Sequence, residues 1–287
     1  MLDARLGSLH AAILDALNLR SVADKYPSAA VMRTGATNER ATGFWLRVQP
    51  IHFIAGLDRI TTVVLRGAAR MTPAERSSLD AVFVEHLQST GLELHAANDE
   101  WLLRSATSLK LETVTPEFAA ANPLSDILPR GADAGPVRRL MTELQMLLHE
   151  HPVNSQRQAR GAPAINAVWV HGEGILSDLS SVSLPAGYGE DLFLRGIYRL
   201  HDQVVGMTPA DAKSLLAQLR GPTVAVIHAP NPESLETQWL APLSRALLSG
   251  AISKLTLLFD AWQVSAGRAD MFKLWRRERR PTEWVAC

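Results

Sequence analysis

The sequence predicts an α/β protein in which a mostly parallel sheet, flanked by helices, fills residues 136–287 and a smaller α+β region fills residues 1–135. Three observations support this. Residues 165–170, 223–227 and 255–259 are short, continuously apolar runs, the pattern of strands covered on both faces. Helical patterns separate them, as expected for crossover connections. Between the two regions, residues 113–135 hold Pro116, Pro123, Pro129, Gly131 and Gly135, which places a domain boundary near residue 135.

Residues 9–19 read as a short amphipathic helix, and residues 20–41 as loop, with Pro27 and Gly35 among polar neighbours. Residues 44–54 read as a strand, because Trp45, Val48, Ile51 and Phe53 are types that fit a pleated, half-buried surface. Pro50 marks an edge or a bulge in it. Residues 60–65 form a second β-branched run. Thr72-Pro73-Ala74-Glu75 is a helix start: Thr72 caps, Pro73 sits at the first helical position and Glu75 completes a capping box. That helix is predicted to run to about Ser89 and stop at Gly91, with short strands at 92–95 and 101–104. From Pro136, the apolar residues Val137, Leu140, Met141, Leu144, Leu147 and Leu148 recur at helical spacing. Further helices are expected at 191–200, after Thr208-Pro209-Ala210-Asp211, and at 233–248.

Composition narrows function by exclusion. Of 287 residues, 47% are apolar and 20% charged, which excludes a disordered chain. Lys+Arg and Asp+Glu number 29 each, so no general attraction to nucleic acid or an anionic membrane is expected. The single cysteine, Cys287, cannot form an internal disulfide and fits a reducing cytoplasm. The first residues lack the features of a signal peptide. No apolar run approaches the roughly 18–20 residues needed to span a bilayer. A cytoplasmic protein without a membrane partner is expected. The basic block Lys273-Leu274-Trp275-Arg276-Arg277-Glu278-Arg279-Arg280 reads as a solvated tail helix with Phe272 and Trp275 packed on the core; nucleic acid, a phosphate-bearing ligand or a partner's acidic patch are the alternatives it leaves open.

The densest polar stretch runs from His149 to Gly174. Pro152 interrupts the long helix, and a strand follows from about Ala164 to His171. At the carboxyl end of a strand in an open α/β sheet, His151, Asn154, Arg157, Asn166 and His171 would converge on an anion, with Arg157 as a bidentate clamp. The plainer reading is also open: Arg157 and Arg160 line a solvated loop, and the asparagines serve as turn and capping groups.

The spacing His151-Pro-Val-Asn154-x-x-Arg157-x-x-Arg160-Gly161-x-Pro163-x-x-Asn166, closing on Gly172-x-Gly174, resembles the archaeal-type cofactor-independent phosphoglycerate mutases of the alkaline-phosphatase superfamily. Leu194-Arg195-Gly196-Ile197 and Val226-Ile227-His228 resemble later elements of that family. Trp45-Leu-Arg-Val-Gln-Pro-Ile-His52, Thr142-Glu-Leu-Gln-Met-Leu-Leu-His149, Asn166-Ala-Val-Trp169 and Trp275-Arg276-Arg277 resemble a proteobacterial group described both as phosphoglycerate mutases and as RpfE-type regulatory proteins. The resemblance implies a reduced alkaline-phosphatase-like fold. It also implies a phosphorylated serine and two divalent ions that stabilise the transferring phosphoryl group.

The ligands that this chemistry requires are largely missing from the matching positions. No Asp-Gly-x-Gly-Asp-like strand opens the chain. Ala229-Pro230-Asn231-Pro232-Glu233-Ser234 holds neither Asp nor His, and Phe259-Asp260-Ala261-Trp262 keeps the Asp without its His. No serine matches the nucleophile. The expectation is therefore a catalytically degenerate relative with no cofactor and no metal. It would bind a phosphorylated or carboxylate small molecule through His151, Asn154, Arg157, Asn166, His171 and Arg195, or act on a protein partner as a regulator. On this reading Arg157→Ala abolishes binding and leaves the fold intact. Two alternatives stay open: an active metal-dependent mutase or phosphatase with an unrecognised site, for instance zinc on His151, His171 and His228, and a purely structural partner protein.

Overall fold

The computed structural model describes residues 8–56, 60–228, 231–259 and 262–272. The chain divides into two compact units, Met1–Thr208 with Gly221–Val226, and Pro209–Arg220 with Ile227–Cys287. Residue 135 falls inside the first. Among the described residues, no helix is long and apolar enough to cross a membrane.

The first unit is built on a five-stranded sheet: β1 (Phe44–Ala55), β2 (Ile60–Val64), β3 (Leu92–Ala97), β4 (Glu100–Ser105) and β5 (Ala167–Gly174). β1 is central. β4 and then β2 pair with one of its edges and β5 with the other, and β3 pairs with β4. Every one of these pairings is antiparallel, which corrects the expected mostly parallel sheet. An apolar run reports that both faces of a strand are covered, and says nothing of its neighbour's direction. β5 is covered by helices on both faces, so Val168, Trp169 and Val170 are all buried within an antiparallel ladder. Of the remaining strands, one pair keeps the expected parallel direction and the other does not. β6 (Ala186–Tyr188) pairs parallel with β7 (Thr223–Ala225), while in the second unit β8 (Lys254–Phe259) and β9 (Trp262–Gly267) form an antiparallel pair. The fold class that stands is a mixed α/β protein.

Strand periodicity sorts the core into two clusters. Phe44, Leu46 and Val48 of β1 and Trp101 and Leu103 of β4 face α3 (Pro73–Leu87) and, beyond the short helices α4 (Pro116–Ala120) and α5 (Leu124–Ile127), α6 (Ala134–His149). Trp45 and Leu102 face the other way. They join α1 (Ser8–Ala16), α2 (Ser28–Thr37) and the later helix α8 (Leu192–Leu200).

Helix starts follow local chemistry. The Thr72 hydroxyl accepts from the Glu75 amide at 3.2 Å, and the Thr72 amide donates to the Glu75 carboxylate at 2.8 Å, as the capping box predicts. Pro152 opens a new helix, α7 (Pro152–Ala159), with its ring at the first helical position, where no amide donor is needed. The helix expected after Thr208 is capped by Asp211, which accepts from Ser214, and spans Ala212–Gln218 (α9). In the second unit α10 (Pro232–Ser234) leads through a π-helical turn (Leu235–Leu240) into α11 (Ala241–Ser249).

Residues 28–37, expected as loop, form α2. Most of its side chains are buried, so no polar face betrays the helical period. Gly35 is a contact point in it. A Cβ there would collide with the Leu192 carbonyl, and one at Gly196 of α8 would collide with the Val31 carbonyl. The two glycines let the helix backbones touch.

Candidate functional site

The polar stretch around α7 folds inward. Arg157 is 0% exposed. Its Nη1 donates to Glu75 at 2.7 Å, Nε to the Pro163 carbonyl at 2.7 Å and Nη2 to the Ala69 carbonyl at 2.5 Å. Arg160 reaches the other oxygen of Glu75 at 2.8 Å and the Ala68 carbonyl at 3.1 Å. Glu75 thus holds two guanidiniums and the Thr72 amide. Burial alone would push its carboxyl up, but the hydrogen bonds from Thr72 and Arg160 and the charge of Arg157 bring it below its ordinary value. Burial lowers the Arg157 pKa, against the pull of Glu75. The expected anion clamp is an internal ion pair between α7 and the start of α3.

The asparagines are spent in the same way. Asn154 donates to the carbonyls of Leu148 (2.8 Å) and Ile165 (2.9 Å), and accepts from the Ile165 amide (2.8 Å). It ties the end of α6 to the approach of β5. Asn166 accepts from the Phe53 amide at 2.7 Å and donates to the Phe53 carbonyl at 2.9 Å, extending the β1–β5 ladder with a side chain. His151 caps α7: its Nδ1 accepts from the Val153 amide at 3.2 Å, and burial lowers its pKa.

What remains accessible is a groove of about 360 Å³ at the α6–α7 corner. It is lined by His149, Glu150, His151, Asn154, Ser155 and Gln158 among others. Of the expected set, His151 and Asn154 reach it. Arg195 is half-buried on α8, which packs in the core cluster on the opposite face of the sheet from Val153 of α7.

His171 belongs to a second polar cluster, inside the first unit. It is 1% exposed and sits opposite Arg47 in the β1–β5 register. Its Nε2 donates to Gln49 at 3.3 Å, while its Nδ1 has no partner. Arg47 makes a two-point ion pair with Glu100 at 2.9 and 2.8 Å and donates to His10 Nδ1 at 3.3 Å. Sequence reasoning missed His10, Arg47 and Glu100. The available signal was a charged residue, Arg47, at a core-facing position of a strongly apolar strand.

The mutase resemblance implies two divalent ions. Among the described residues, no three His, Cys, Asp or Glu side chains gather into a set that could hold a metal ion. The donors described do not fit that group. Asp260 and the basic stretch 273–280 lie outside the described residues.

No family model matches the chain. A stretch of 59 residues is 41% identical to the 2,3-bisphosphoglycerate-independent phosphoglycerate mutase of Methanothrix thermoacetophila. The chain is similar to a cofactor-independent phosphoglycerate mutase. That match covers 21% of this chain and 15% of the relative, well under two thirds of the relative's length. Among solved structures, the cofactor-independent phosphoglycerate mutase from Thermoplasma acidophilum aligns with a TM-score of 0.41 at 17% identity, over 80% of this chain and 68% of that one. A Pyrococcus horikoshii protein aligns with a TM-score of 0.37 at 16% identity, over 68% and 49%.

Proposed function

We propose that this chain is a catalytically degenerate relative of the cofactor-independent phosphoglycerate mutases that acts by binding, in a regulatory role of the RpfE type. The local identity to the Methanothrix thermoacetophila mutase supports the kinship. The observation that carries the rest is the burial of Arg157 against Glu75. The guanidinium best suited to grip a phosphoryl group is spent on holding the fold. The binding surface is then the outer side of the same segment, where the imidazoles of His149 and His151 and the neutral polar groups of Ser155 and Gln158 line the groove beside the carboxylate of Glu150. Such a lining offers hydrogen-bond donors to a phosphorylated or carboxylate small molecule held at the side away from Glu150. The even charge and lone cysteine fit a cytoplasmic protein.

A thermal-shift screen with phosphoglycerates, other phosphorylated metabolites and divalent metals, alone and combined, tests this. A ligand bound by the native state alone raises the melting temperature. The expected result is a metal-independent shift that is lost in His149→Ala/His151→Asn, where Asn keeps the helix cap. A shift that needs metal, together with mutase turnover, would overturn the reading in favour of an active enzyme. No shift with any compound would reject the small-molecule site and leave the protein partner, sought by co-purification.

A further inference from the structure

We draw no further inference here: the strongest candidate, the buried cluster of His10, Arg47, Glu100 and His171 between α1 and the sheet, rests on the lowered proton affinity of its two imidazoles, and nothing in the structure shows a second position for α1.

Discussion

Arg157 donates to Glu75 at 2.7 Å, with side chains 0% and 7% exposed, and so joins α7 to the capping box of α3. One carboxylate closes a helix terminus and pairs with two arginines, Arg157 and the half-exposed Arg160. Removing a partner from such a pair strands a buried charge.

Arg157→Ala should therefore destabilise the protein by about 3–5 kcal/mol, in contrast to the intact fold expected from sequence alone. Urea denaturation measures this. A change below about 1 kcal/mol would show that Arg160 alone satisfies Glu75.

Asn154→Asp should be at least as damaging as Asn154→Ala. The alanine loses three hydrogen bonds, for a cost of about 2–4 kcal/mol. The aspartate keeps the acceptor for Ile165 but sets an oxygen against the carbonyls of Leu148 and Ile165. Chemical denaturation of both variants ranks them, and a milder aspartate would contradict the assigned amide orientation.

Gly196→Ala should cost about 3 kcal/mol or more, because its Cβ would meet the Val31 backbone, which has no rotamer to move. Gly221→Ala serves as the control, since open space surrounds a Cβ there. Equal melting temperatures for the two would disprove the α2–α8 backbone contact.

His201 is expected to contribute to acid sensitivity on its own. Its Nδ1 accepts from the Val182 amide at 3.2 Å, so its other nitrogen carries the proton toward the Tyr26 hydroxyl at 2.9 Å. Burial lowers its pKa below 6.5. The stability it gives is complete above that value and falls away as pH drops through the lowered one. In His201→Gln, the decline of melting temperature between about pH 6.5 and pH 5 should be shallower. An unchanged slope would place the acid sensitivity elsewhere.

Local signals in the sequence translated into structure, and long-range pairing did not. The Thr72–Glu75 box lies within four residues, and α6 declares itself by the spacing of Val137, Leu140 and Leu144. α2 was hidden because a helix buried on most sides has no polar stripe. Strand direction was hidden because apolar runs look alike in parallel and antiparallel sheets. The segment from His149 to Gly174 stood out correctly as unusual, but its meaning depended on Glu75, 82 residues upstream of Arg157. A polar cluster along the chain resembles a ligand site until its internal partners are known.

The placement of β5 has a consequence for synthesis. Gln49 and His171, which meet across the β1–β5 ladder, are 122 residues apart. At about 5–20 residues per second, a ribosome needs roughly 6–24 s to supply the second after the first. Through that interval the central strand has one edge bare, its backbone groups along residues 45–51 waiting for β5. An open apolar edge is a template for neighbouring chains. Nascent copies on one polysome are thus most exposed to mispairing before residue 174 emerges, and slowing translation downstream of β4 should lower the soluble yield.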